Sequence, residues 1–327
     1  MRIAINGMGR IGRLLFRILM EDNQFEVVAV NDIMPIENLA YLIRYDSIYG
    51  SNQNEIKTKD QSFIINKTEI SYLQNENPEK LPWKDLNIDV VLECSGKFSD
   101  KASASKHLAS GAKKVLLSTT GATDIPLLVY GHNQSGSVAD LNILSPGGCM
   151  TNCSVHILYI LNSIGITSAH LNILHSYTSR QSLVDSPHVQ LRRGRAAAES
   201  IIPVAIDLNK ALNRLLPSLQ NKINVFSTRV PVANGAMAEF TVQLTKNITA
   251  GEINKLFKIA AKTEYKGILD YTEEPLVSLD IKGNSHSGII DGTQTAAIGN
   301  HVRIVAWFDN EYGFTSRMID WLKYWRK

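Results

Sequence analysis

A cysteine stands at a junction in the run Ser145-Pro146-Gly147-Gly148-Cys149-Met150-Thr151-Asn152-Cys153, where the strand-like residues 141–144 give way to a glycine turn and the apolar run 154–164 follows. This pattern predicts a strand end and then a helix opening at or just after Cys149. The first N–H groups of a helix lack partners within it and carry partial positive charge. Such a setting favours thiolate over thiol, which makes Cys149 a candidate nucleophile. A thiol working near neutral pH needs a base. His175, which closes the strand-like run 171–174, is the candidate; a histidine at a strand end also serves as a structural residue, so the pairing with Cys149 carries the reading. Arg192, Arg193 and Arg195 form one basic cluster and Arg229 stands alone. Arginine forks suit phosphate, with a subunit interface or solvated loop as the alternative for the cluster. Cys153, four residues after Cys149, shares its helix face and reads as a small packing residue.

These groups need something to react with, and the N-terminal stretch supplies a candidate. Ile3-Ala4-Ile5 reads as a strand, then comes Asn6-Gly7-Met8-Gly9-Arg10-Ile11-Gly12 and a helical run over 13–20. A second strand over 25–30 ends in Asn31-Asp32, with Asp32 about 20 residues beyond Gly12. The order strand, glycine loop, helix, strand, acid predicts a dinucleotide site, with Gly7, Gly9, Arg10, Ile11 and Gly12 cradling the pyrophosphate at a helix N-terminus. Asp32 would meet the adenosine ribose and repel a 2′-phosphate, so NAD is expected over NADP. Strands over 88–93 and 114–118 flank a helix over 101–110. Their carboxyl ends make Ser95, Gly96, Ser118 and Thr119 cofactor-facing candidates, with plain turn chemistry as the alternative. Cys94 reads as a buried filler.

The elements that must position these residues fall into two sets. Residues 1–148 alternate strand and helix, which predicts a Rossmann-type, doubly wound α/β domain. The polar middle, residues 51–80, holds two β-like runs at 63–65 and 69–73. Residues 149–314 carry strand-like runs at 223–232, 237–244, 275–279 and 301–307 with helical pieces at 195–201 and 250–263. Few crossover helices there predict an α+β catalytic domain with a largely antiparallel sheet. The final helix, 315–327, is expected to pack back on the first domain. The 327 residues are 44% hydrophobic and 20% charged with net charge +3, which points to no nucleic-acid or membrane partner. Three cysteines without CxxC or zinc spacing indicate a reducing compartment and no metal. A strand at the very start leaves no room for a signal peptide, so a cytoplasmic location is expected.

Taken together, the chain resembles the glyceraldehyde-3-phosphate dehydrogenase family along essentially its whole length. The matching stretches are Ile5-Asn6-Gly7-Met8-Gly9-Arg10-Ile11-Gly12-Arg13, Asn31-Asp32, Tyr45-Asp46-Ser47, Cys149-Met150-Thr151-Asn152-Cys153, His175 and Gly194-Arg195-Ala196-Ala197. Ile201-Ile202-Pro203, Thr228-Arg229-Val230-Pro231 and Trp307-Phe308-Asp309-Asn310-Glu311-Tyr312-Gly313 complete the match. Leu191-Arg192-Arg193, Asp270-Tyr271-Thr272-Glu273 and Asp291-Gly292-Thr293-Gln294-Thr295 resemble the erythrose-4-phosphate dehydrogenase branch. The resemblance implies that Cys149, with His175 as base, attacks an aldehyde to form a thiohemiacetal, then a thioester once hydride has left for NAD. It implies that Asn310 holds the nicotinamide carboxamide, that Thr151, Thr178, Arg195 and Arg229 hold phosphate groups, and that the protein is a homotetramer with residues 177–200 at an interface.

Departures from the family pattern cluster around the acyl acceptor. Gly148 and Met150 stand where serine and threonine are usual, and Ile206 and Asp207 replace a Thr-Gly pair of glycolytic members. A carboxylate facing inorganic phosphate would weaken its occupancy about a hundredfold. Three functions follow: oxidation of glyceraldehyde 3-phosphate with phosphate as acceptor, oxidation of erythrose 4-phosphate with hydrolysis of the acyl-enzyme, or a non-catalytic NAD- or partner-binding role.

Overall fold

The structure, a computed structural model, describes residues 1–134 and 138–326. The chain forms two compact units, one of residues 1–130, 134–148 and 317–327, the other of 131–133 and 149–316.

The first unit contains β1 (Arg2–Asn6), α1 (Arg10–Leu19), β2 (Glu26–Asn31), α2 (Ile36–Arg44), β3 (Ile56–Lys59), β4 (Ser62–Ile65), β5 (Thr68–Leu73), β6 (Val90–Glu93), α3 (Lys101–Ala109), β7 (Lys114–Leu117) and β8 (Ile143–Leu144). Its eight strands run in the order β3-β4-β5-β2-β1-β6-β7-β8. The five strands β2, β1, β6, β7 and β8 are parallel, as is β5 to β2, and β3 and β4 extend the edge antiparallel. The fully buried Ile3, Ala4, Ile5, Val91 and Leu92 show why β1 and β6 read as continuous apolar runs: a parallel sheet is covered on both faces. The chain leaves β1 toward β2 on one side and β6 on the other, so the strand order reverses at the end of β1. That is where an open α/β sheet takes its ligand. α1 begins at Arg10, before the predicted 13, because the glycine loop itself forms the helix start.

The second unit contains α4 (Cys149–Asn162), β9 (Ile166–Ser176), β10 (Ile202–Val204), α5 (Leu208–Leu215), β11 (Ile223–Val230), β12 (Ala236–Leu244), α6 (Ala250–Lys262), β13 (Leu269–Thr272), β14 (Gly288–Asp291), β15 (Ala296–Ile298), β16 (His301–Phe308) and the start of α7 (Tyr312–Arg326). Its sheet order is β10-β11-β9-β12-β16-β14-β13, with β15 also on β16. Only β9/β11 and β13/β14 pair in parallel, so the sheet is largely antiparallel. Residues 317–326 of α7 belong to the first unit, where the Tyr324 hydroxyl donates to the Gln134 carbonyl and Trp321 packs edge-on to Tyr130.

Two predicted elements are absent. Residues 275–279 form no strand; Val277 and Leu279 face solvent, and the Val277 N–H donates to the Asp280 carboxylate, closing a turn. Residues 195–201 form no helix, because their N–H groups are taken by a neighbouring loop: Ala196 donates to Asp185 and Ala197 to the Ser182 carbonyl. Short strands β3, β10, β13, β14 and β15 had no distinct sequence signal.

Candidate active site

The glycine loop is built by close approach. Gly7 has φ of +93°, and a Cβ there would lie 2.4 Å from the Ser95 nitrogen. A Cβ on Gly12 would meet the Gly7 carbonyl oxygen at 2.0 Å, so α1 can start this close to β1 only with glycine. Gly9, the N-cap of α1, makes no side-chain cap bond, and a Cβ there would meet nothing within 4 Å. The loop therefore presents bare backbone at a helix N-terminus, with Arg10 and Ile11 half-buried in its first turn, and fits a dinucleotide pyrophosphate.

Asp32 follows β2 and does more than the motif implies. One carboxylate oxygen accepts the Met8 N–H at 2.6 Å and the other the Met34 N–H at 3.1 Å, so Asp32 also shapes the glycine loop. Each oxygen keeps acceptor capacity for a ribose hydroxyl. Ser95 gives both its N–H and its hydroxyl to the Glu93 carboxylate, which makes it a turn-former first. Gly96 continues the turn at φ +72° with open space beyond its Cα. The Ser118 N–H is spent on the Glu93 carbonyl, and the Thr119 carbonyl accepts from the Ser145 hydroxyl. Cys94 is partly buried, and burial next to Glu93 raises its thiol well above the usual range.

In the second unit α4 begins at Cys149, as the glycine turn predicts. Cys149 Sγ lies 3.6 Å from His175 Nε2. His175 Nδ1 lies 2.8 Å from the Ser176 carbonyl oxygen. A carbonyl can only accept, so Nδ1 carries the proton and Nε2 turns a lone pair toward the sulfur. Burial pushes the Cys149 thiol up to about 11, outweighing the Arg229 charge and the helix-start N–H groups of Met150 and Cys149, which lower it. Burial, then the Arg229 charge, push His175 down to about 3, against the Ser176 hydrogen bond. The helix start thus acts in the expected direction, against a larger opposing effect of desolvation. Proton transfer between Cys149 and His175 creates opposite charges whose attraction at 3.6 Å is worth about 5 kcal/mol at an effective dielectric constant near 20. Cys153 is fully buried one helix turn on, against Gly288.

Arg229 sits beside this pair because β11 and β9 are in register, Arg229 opposite His175. It is 6% exposed, its Nη1 donates to the Ser176 carbonyl at 3.3 Å, and its Nε has no partner among the described residues. Its pKa is lowered to about 10 by burial, with Cys149 opposing and Arg193 and Arg180 adding to the fall. Arg193, which the motifs did not single out from its cluster, is therefore, with Arg180, an arginine whose charge reaches Arg229. It is 8% exposed, held by Gln190 and the Ala205 carbonyl, with Nη1 unpartnered. Arg195, the predicted phosphate ligand, is instead exposed and ion-paired with Asp185 at 3.0 Å. Asp207, expected to face an anion, is exposed and paired with Lys210 at 2.8 Å. Ile206 packs against Ala197, Ile202 and Val204. Thr151 is buried in the first turn of α4. The Thr178 N–H and hydroxyl both donate to the Gln181 side-chain oxygen, and the Gln181 amide nitrogen is unpartnered.

Asn310 is buried between the end of β16 and α7. Its side-chain oxygen accepts the Gly235 N–H at 2.8 Å and the Ser176 hydroxyl at 3.1 Å. The Gly235 donor fixes the amide orientation and leaves the Asn310 NH₂ free to donate. Asp309 holds this segment by accepting from Asn234, Glu311, Tyr312 and Gly283. No helix among the described residues is long and apolar enough to cross a membrane.

A parallel sheet whose order reverses beside a bare glycine loop, in a chain that also pairs a thiol with a lone-pair imidazole and a buried arginine, has the parts of an NAD-dependent dehydrogenase. The family model described as the glyceraldehyde 3-phosphate dehydrogenase NAD binding domain matches residues 1–101, and that described as its C-terminal domain matches residues 148–310. The chain is 41% identical to glyceraldehyde-3-phosphate dehydrogenase 2 of Bacillus subtilis over 99% of its own length and 96% of that protein. It is 42% identical to the glyceraldehyde-3-phosphate dehydrogenase of Borreliella burgdorferi, covering 98% of each. The chain belongs to the glyceraldehyde-3-phosphate dehydrogenase family.

Proposed function

We propose that this protein oxidises glyceraldehyde 3-phosphate with NAD, through an acyl group on Cys149 that inorganic phosphate removes. The observation that carries the reading is the Cys149–His175 pair at 3.6 Å with the imidazole lone pair on the sulfur side. His175 Nε2 takes the thiol proton as the sulfur attacks the aldehyde carbon, giving a thiohemiacetal. Once protonated, Nε2 becomes a donor and joins the Cys149 backbone N–H in stabilising the oxyanion. The bound NAD supplies the hydride acceptor. The Gly7, Gly9, Arg10, Ile11 and Gly12 loop holds the pyrophosphate, and Asp32 holds the ribose. Ser95, Gly96, Ser118 and Thr119 line the strand ends, and the free NH₂ of Asn310 donates to the carboxamide oxygen.

One nitrogen each of Arg229, Arg193 and Gln181 is a buried donor without a partner among the described residues, which suits a phosphate dianion. Arg229 and Thr178 take the substrate phosphate; Arg193 and Thr151 serve the acceptor phosphate in place of Arg195. Binding an anion here also offsets the charge that Arg229 places against imidazolium formation.

The protein works as a cytoplasmic homotetramer. Support for assembly comes from Leu183, Val184, Val189 and Leu191, large apolar side chains exposed in the 177–200 segment. A steady-state assay of glyceraldehyde 3-phosphate and erythrose 4-phosphate across an inorganic phosphate titration tests the function. NADH formation from glyceraldehyde 3-phosphate should rise and saturate with phosphate. Indifference to phosphate with an acid product from erythrose 4-phosphate would make the enzyme a hydrolytic erythrose-4-phosphate dehydrogenase. No turnover of either would leave an NAD-binding protein.

A further inference from the structure

Glu93 ends β6 with only 2% of its surface exposed. Four donors converge on its carboxylate. The Ser95 N–H at 2.8 Å and the Ser95 hydroxyl share one oxygen; the Asn6 amide at 2.5 Å and His107 Nε2 at 2.9 Å share the other. The direction of each bond is fixed by chemistry. Trp83 Nε1, a donor only, lies 3.0 Å from His107 Nδ1, so Nδ1 accepts and Nε2 carries the proton given to Glu93. His107 is therefore neutral, and Glu93 is a carboxylate with all its acceptor positions filled.

The chain of bonds continues across the sheet. The Asn6 side-chain oxygen accepts from Asn31 Nδ2 at 2.6 Å, and Asn31 in turn exchanges bonds with the Asn75 backbone at 2.9 and 3.0 Å. Trp83, His107, Glu93, Asn6 and Asn31 are all buried, and the last three stand at the ends of β6, β1 and β2. Those are the strands around the point where the sheet order reverses. Two main-chain contacts pass the network on to the cradle. The Gly7 N–H donates to the Asn31 carbonyl at 2.8 Å, and Gly7 packs against the Ser95 backbone too closely for any Cβ. The glycine turn is thus wedged between two segments whose positions Glu93 sets.

We infer that Glu93 is the positioning residue of the dinucleotide cradle, setting NAD affinity through Asn6, Asn31 and Ser95. This rests on the NAD reading of the site. Glu93→Gln is the direct probe: an NH₂ turned toward Asn6 and His107 confronts two donors, and one turned toward Ser95 confronts its N–H while the hydroxyl can rotate to accept, so at least one hydrogen bond is lost without a change of shape. NAD titration calorimetry on the folded apo protein should show Kd raised about tenfold or more. The rate of Cys149 alkylation, which reports on the second unit, and kcat at saturating NAD should stay within about twofold of wild type. A second pair of variants keeps the question open to experiment if Glu93→Gln does not accumulate. His107→Gln can still accept from Trp83 and donate to Glu93 and should bind NAD like wild type, whereas His107→Leu can do neither and should bind severalfold more weakly. Unchanged Kd in Glu93→Gln, or equal Kd in the two His107 variants, would make the network ordinary core and overturn the inference. A wild-type protein that fails to bind NAD would instead overturn the reading beneath it.

Discussion

At the ends of β1, β2 and β6 the buried side chains Asn6, Asn31, Glu93, His107 and Trp83 all have hydrogen-bond partners. In the second unit, equally buried groups have donors without a partner among the described residues: Arg229 Nε, Arg193 Nη1 and Gln181 Nε2. Satisfied networks make a rigid frame, and in a frame for NAD rigidity lowers the ordering cost of binding. Unsatisfied buried donors are costly unless something arrives to meet them. The difference separates a region built to hold a shape from one built to receive charge during a reaction.

The comparison can be broken most sharply at the sulfur. Cys149→Ser should reduce aldehyde oxidation by at least about 10⁴-fold while NAD titrates the first unit unchanged, because the hydroxyl is a far weaker nucleophile. Loss of NAD binding in step with activity would show that the two regions are not separable in this way. His175→Asn should cost about 10²–10⁴ in kcat.

His175 also predicts an acid limb in stability. Its folded pKa is about 3, against about 6.5 in the unfolded chain. The unfolded state therefore binds the extra proton between those values, and stability falls as pH falls through that window by up to about 1.4 kcal/mol per pH unit. Denaturant titrations from pH 7 to 4 should show a shallower slope in His175→Asn than in wild type.

The arginines offer a smaller and more selective test. Arg193→Leu should lower kcat/KM for inorganic phosphate by tens of fold, about 2 kcal/mol of charge-assisted bonding, because the donor it removes is buried. Arg195→Leu should change it by less than about twofold, since an exposed ion pair is worth little. The reverse ranking would restore the assignment drawn from the motif. A smaller loss than that of Arg193→Leu is expected from Asp32→Ala, which should weaken NAD about tenfold and narrow its advantage over NADP, through the lost ribose acceptor and the freed Met8 N–H.

Both centres were legible in sequence for the same reason: each is a local pattern. The glycine loop needs its glycines within one turn, and a helix that opens at Cys149 is announced by the glycine pair before it. What stayed hidden depends on distant neighbours. Nothing near Glu93 marks it as a four-donor carboxylate, because Asn6 and His107 reach it from other strands and helices. Arg193 and Arg195 are indistinguishable in a basic run; only the Ala205 carbonyl, Gln190 and Asp185 decide which is buried and which is surface. The false helix at 195–201 has sound helical residues whose N–H groups were claimed by a loop ten or more residues earlier. The glycine turn marks the helix start at Cys149, whereas the burial that opposes it at the thiol comes from neighbours distant in sequence.

Covalent capture tests the central claim most directly. Rapid mixing of the enzyme with NAD and glyceraldehyde 3-phosphate, without inorganic phosphate, should release a burst of one NADH per subunit and then stall. Mass spectrometry of the quenched protein should find the acyl group on the peptide bearing Cys149. A burst with no adduct, or an adduct on Cys94 or Cys153, would contradict it.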